Sequence, residues 1–205
     1  LESNYEPIFW MGNTDESELE IYTQNAPNGA GKLTVAHKRA TEEFNYNYFQ
    51  PLGTSWVFLS VIFNEGSISV YFNNQEQSVT DDGNEILFSN ISMSDIRIGY
   101  QEAGFDTQAI NLNGFVDDIS FFNNVLNYDE RESIMNCSES VSDYNGLIGY
   151  WNFEEGNGNT VLDLSSNGNN GIINGAIYSD NIPEQECEIS SCADSDEINV
   201  TFNIC

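Results

Sequence analysis

Short apolar runs separated by Asn, Gly and Asp recur along this chain, and most alternate with the period of two that a strand imposes. Residues 8–13 are an apolar run stopped by Gly12 and Asn13, which predicts a short buried strand and a turn. Residues 18–22 and 32–37 alternate on either side of an Asn-Gly-Ala-Gly stretch and predict successive antiparallel strands. The only histidine, His37, falls on one face with Leu33 and Val35, which predicts a packed or rim residue rather than a catalytic one. Residues 55–63 are almost wholly apolar, as expected of a central strand covered on both faces. After a turn at 64–66, the alternation places Ile68, Val70 and Phe72 inward and Ser69 and Tyr71 outward. Residues 86–88 and 95–100 add two short strands, and only residues 129–136 carry helical spacing. Such a series predicts an all-β sandwich or barrel.

Residues 111–126 organise the rest. Strand alternation puts Phe115, Ile119 and Phe121 on one face together with Asp117, and Val116, Asp118, Ser120 and Phe122 on the other. An ionised Asp in an apolar row is costly unless it is hydrogen-bonded or holds a cation, so Asp117 is assigned a structural or cation-binding role. Residues 127–135 follow as a short helix with acidic residues in its first turn.

Composition narrows the functional classes. With 5 Lys+Arg against 33 Asp+Glu, the formal charge of -28 repels nucleic-acid phosphate and anionic membranes and favours divalent cations as counter-charge. No apolar run reaches the roughly 18 residues that a membrane helix needs, and no signal peptide is recognisable, so the expectation is a soluble chain already processed or cut from something larger. Cys137, Cys187, Cys192 and Cys205 match neither zinc spacing nor a Cys-x-x-Cys redox motif, which favours disulfides and an oxidising compartment. Of the three connectivities, Cys137 with Cys187 and Cys192 with Cys205 is preferred on topology.

Three stretches carry a family likeness. The Gly-x-Val-Asp-Asp-Ile strand of residues 114–119, with its polar turn and short helix, resembles the closing segment of laminin-G-like (concanavalin A-like) jelly-roll domains. Trp56, an apolar strand, a turn and Val70-Tyr71-Phe72-Asn73-Asn74 are similar to a hairpin of that family, with Asn74 where Gly is usual and a looser turn implied. Gly149-Tyr150-Trp151-Asn152-Phe153-Glu154-Glu155-Gly156 and the following Asp163 to Gly171 loop closely resemble the family's opening strands. Opening therefore follows closing. The resemblance implies a circularly permuted two-sheet jelly roll over residues 1–187, with its closing segment at 111–136 beside an appended opening segment at 146–178. A bond between Cys137 and Cys187 would then staple the appended piece, and residues 188–205 would be a disulfide-closed tail, the start of a next module or a donor strand. The family's strand before Ile8 is missing, so either the chain begins after it or a neighbouring chain fills the gap.

The resemblance also implies calcium, bound by Asp117, Asp163, Asn167 and Asn169. An oxygen-rich, glycine-bearing loop suits that hard cation, although the same residues also suit Asx turns. Outward Trp56, Tyr71 and Tyr100 are candidates for stacking on sugar rings, against the alternative of packing under loops. Adjacent carboxylates such as Asp117 and Asp118, or Glu154 and Glu155, face opposite sides of a strand and cannot flank one bond as a glycosidase requires. No catalytic constellation is evident, so no enzyme is expected. The expectation is a non-catalytic, calcium-stabilised adhesion module of a secreted or surface protein that binds glycan or an extracellular protein. The alternative is an extracellular filament subunit assembled by strand exchange between copies.

Overall fold

A computed structural model of the chain describes residues 5–13, 17–24, 31–39, 44–52, 54–64, 67–78, 95–101, 110–137 and 140–184. The protein is all-β, with one short α-helix among the described residues, and it divides into two compact units, Leu1–Val116 and Asp117–Cys205. The expected strand at 86–88, the tail at 188–205 and Cys187, Cys192 and Cys205 lie outside the described residues, and with them both expected disulfide pairings.

In the first unit, β1 (Tyr5–Asn13), β2 (Ser17–Gln24), β3 (Lys32–Arg39) and β4 (Phe44–Pro51) form an antiparallel meander. The strand β4 went unread in the sequence, although its Phe-Asn-Tyr-Asn-Tyr alternation has the strand period. One face of the sheet carries the rows Met11, Leu19, His37 and Phe9, Ile21, Val35 across paired positions. Each of these side chains is buried, which stabilises the unit by about 1.5–3 kcal/mol for each large aliphatic or aromatic one. The opposite face is covered as well. Thr34 and Ala36 are buried there, and so is Glu18, whose Oε2 accepts a 2.9 Å bond from Trp10 Nε1. The Arg97 guanidinium lies 4.8 Å from the Trp10 ring centre, a cation–π contact that adds to the Glu18 bond in fixing the indole.

The strand β5 (Leu59–Asn64) corrects an expectation. Among the described residues it forms a three-stranded sheet with β6 (Ser67–Phe72) and β7 (Gln75–Gln77), in which β6 is central and β5, half-buried, pairs with β6. Its apolar run had predicted a central, doubly covered strand. Val70 of β6 is fully buried, as its inward phase predicts. The looser turn expected at Asn74 is not found either. Phe72 pairs with Gln75, and Asn73 and Asn74 both have positive φ, +48° and +60°, the two-residue hairpin geometry that matches strand twist. Asn adopts this region more readily than other non-glycine residues, which is how the tight turn persists without glycine. The side chain of Asn73 also accepts from Phe58 N at 2.9 Å.

Gly99 (φ +66°) separates β8 (Ile96–Ile98), which pairs with β1, from β9 (Tyr100–Gln101), which pairs with β10 (Ile110–Asn111). In the second unit, β11 (Ile119–Phe122) precedes α1 (Tyr128–Met135), then a 3-10 turn (Val141–Asp143), β12 (Leu147–Trp151) and the pair β13 (Thr160–Val161) and β14 (Gly171–Ile172). The helix begins where the sequence places it. The Asn127 side chain accepts from Glu130 N, and Glu130 Oε2 accepts from Asn127 N, a reciprocal cap on two otherwise unpaired donors.

Replacing Asn73 by Ala should destabilise the first unit by about 1–2 kcal/mol, through left-handed strain and the lost bond to Phe58. Asn73→Gly should recover the conformational part only. Chemical denaturation of the three proteins decides it, and an alanine variant as stable as the parent would refute the turn assignment.

Candidate functional site

Two of the three segments that carry the family likeness, those around residues 119–122 and 147–151, meet at one antiparallel pair. Strand β11 runs beside β12 with Ile119 opposite Trp151, Ser120 opposite Tyr150 and Phe121 opposite Gly149. A Cβ on Gly149 would run into the Trp151 indole, so glycine is required for that ring to lie back across the strand. There the indole meets Phe121 edge-on, with ring centres 6.0 Å apart at 77°. Its Nε1 donates to Asn169 O at 3.0 Å. Tyr150, one residue earlier and so on the other face, donates its hydroxyl to Asp118 Oδ1 at 2.8 Å. Burial, with the neighbouring Asp118 charge next in size, pushes the Tyr150 phenol above its ordinary pKa.

The other edge of β12 is covered by the Asp163 loop. Oδ1 of Asp163 accepts from Tyr150 N (3.0 Å) and Ser165 N (2.9 Å), and Oδ2 accepts from Asn169 N (2.7 Å) and the Ser165 hydroxyl (2.8 Å). Leu164 N closes the edge by donating to Tyr150 O at 2.7 Å. The amide nitrogens of Asn167 and Asn169 both donate to Ile148 O, at 2.9 and 3.2 Å. The side-chain oxygen of Asn170 takes up Asp163 N at 2.9 Å. Burial alone would raise the pKa of Asp163, but the bonds from Tyr150, Ser165 and Asn169 outweigh it and hold the carboxyl below its ordinary 3.8.

A carboxylate offers about four acceptor positions, and here protein donors occupy all of them. Asn167 and Asn169 likewise turn donors, not oxygens, toward β12. Calcium takes six to eight oxygen ligands. The expected ligands Asp163, Asn167 and Asn169 therefore fit an Asx-type clasp better than a cation shell. Among the described residues no group of three or more His, Cys, Asp or Glu side chains is arranged to hold a metal.

The fourth expected ligand, Asp117, does not sit in a pleated row with Ile119 and Phe121. Asp118 has φ +48°, which breaks the alternation, and strand geometry starts only at Ile119. Burial raises the Asp117 carboxyl to about 6, and the charges of Asp118 and Glu154 add to this, against a 3.1 Å bond from Asp118 N. The partners Asp118, Tyr150, Ser165 and Asn170 were missed in the sequence. The Asp-x-Ser spacing at 163–165 was the available signal, since a short side chain two residues on is typical of such turns. Glu155, considered above as half of a catalytic pair, bridges Leu162 N at 2.7 Å and the Tyr178 hydroxyl at 3.1 Å.

The candidate aromatics lie on separate elements of the first unit. Trp56, just before β5, is half-buried with its ring centre 6.2 Å from that of Phe115. Tyr71 is on the central strand β6, and Tyr100 on β9 has the Arg97 guanidinium 5.6 Å from its ring centre. Cys137 follows α1 with φ +51°. No family model, curated protein or solved structure matches this chain.

In Asp163→Asn, one oxygen becomes a donor facing other donors, so the variant should lose about 3 kcal/mol in chemical denaturation at neutral pH. A change under 1 kcal/mol would mean that the clasp is not what holds the edge of β12. Asp117 predicts the opposite pH behaviour. Its folded value lies above its unfolded one, so its contribution is fully present below about 3.8 and is lost as pH rises through about 6. Asp117→Asn keeps the acceptor for Asp118 N and should melt higher than the parent at pH 7.5, with the gap closing by pH 4. A gap independent of pH would rule out the raised carboxyl.

Proposed function

We propose that this chain is a non-catalytic binding module built as a circularly permuted laminin-G-like jelly roll. It belongs to a secreted or cell-surface protein and engages glycan or an extracellular protein ligand in adhesion. The observation that carries this reading is the direct pairing of β11 with β12. Those strands hold the family-like closing and opening motifs, and in a jelly roll the first and last strands lie side by side. The residues of the Gly-Tyr-Trp motif support it further, each with a distinct packing or bonding role at that pair. A formal charge of -28 argues against nucleic acid and acidic surfaces as partners and for neutral or cationic ones. Calcium has no separate part in this reading, because protein donors already saturate Asp163.

A glycan array probed with the purified chain, with and without EDTA, tests the proposal. Binding to neutral glycans that is indifferent to EDTA is expected. Binding lost in EDTA would restore a cation to the site, and an array blank in both conditions would remove the glycan-binding reading.

A further inference from the structure

We propose that the open cleft between the 3-10 turn and the Asp163 loop is a sugar subsite for one neutral pyranose ring. This inference rests on the binding-module reading and names the ligand class and the place. The cleft measures about 240 Å³ and is lined by Ser142, Tyr144, Asn145, Leu147, Leu164 and Ser166, together with Ser165 beneath. Pockets for drug-sized molecules run from roughly 300 to 1,000 Å³, so this one suits a single ring rather than a chain.

Its chemistry is selective. No lining residue is charged, and the strongly acidic protein around it disfavours uronates, sialic acids and sulfated sugars. What remains is the pairing that a neutral sugar needs, apolar surface for its C–H faces and hydrogen-bonding groups for its hydroxyls. Leu164 leaves 44% of its surface exposed beside Leu147, and the Tyr144 ring is propped perpendicular to Phe122 with centres 6.4 Å apart. An aromatic held in this way binds with little loss of conformational freedom.

Hydrogen-bonding capacity is divided sharply within the loop region. Asp163, Ser165, Asn167 and Asn169 are committed to β12 and to one another. Among the described residues, the exposed side chains of Asn145 and Ser166 make no such bond, and both line the cleft. The walls are anchored by Leu164 N on Tyr150 O and by Asn123 N on Gly146 O, at 2.7 and 2.9 Å, so the subsite is formed before ligand arrives.

Saturation-transfer NMR on the whole chain tests this, with millimolar methyl glycosides of glucose, galactose, mannose and N-acetylglucosamine, and glucuronate as the charged probe. At least one neutral glycoside should receive saturation and glucuronate none. The double variant Asn145→Ala, Ser166→Ala should bind that glycoside at least about tenfold more weakly with an unchanged melting temperature, as expected from two lost hydrogen bonds. Trp56→Ala should bind it like the parent. Failure of every neutral glycoside, or undiminished binding by the double variant, overturns the subsite. Glycan-array binding that survives in the double variant but is lost in Trp56→Ala also overturns it, while leaving the binding-module reading in place.

Discussion

The constraint on which the second unit depends is the outer edge of β12. Among the described residues that strand has one strand neighbour, β11, and an edge cannot be left with its N–H and C=O groups unpaired in a partly buried place. A loop does the work that another strand would otherwise do. The Asp163 carboxylate takes Tyr150 N, Leu164 N returns to Tyr150 O, and three side chains converge on Ile148 O. Side chains can replace a strand here because Asp and Asn present acceptors and donors at the spacing of a peptide group, and because Gly168 (φ +70°) lets the loop turn back on itself.

That edge fixes much around it. With Tyr150 N and O committed outward, the Ile119–Trp151 and Phe121–Gly149 positions face one another across the pair, where the indole and Phe121 meet. The carbonyl of Asn169 then receives the Trp151 N–H, so the clasp and the aromatic contact hold each other in place. In the first unit, Trp10 finds its partner in Glu18 on the next strand, at the expense of burying that carboxylate.

Charge is distributed unevenly over these parts. The clasp keeps Asp163 ionised by surrounding it with donors, whereas burial first, and then the charges of Asp118 and Glu154, push Asp117 toward protonation. Two aspartates of equal interest in the sequence thus have opposite electrostatics. The cleft beside the loop is lined by neutral groups alone, so the loop's acids are engaged in the clasp and not in its walls.

The all-β class, the start of α1 with its acidic first turn, and the strands around Ile21, Val35 and Val70 were legible in the chain, because alternation and helical spacing are local rules that depend on near neighbours. The likeness of residues 114–122 and 146–176 also pointed to two strands that meet. Sequence did not reveal that Asp118 breaks the strand, that residues 59–63 are half-buried rather than doubly covered, that two asparagines keep a tight turn, or which donors surround Asp163. Each of these depends on what lies opposite a residue across the fold. A side chain such as that of Asp163 can bind a cation or backbone amides equally well by its own chemistry, and it is the tertiary arrangement that brings Tyr150 N and Asn169 N to it.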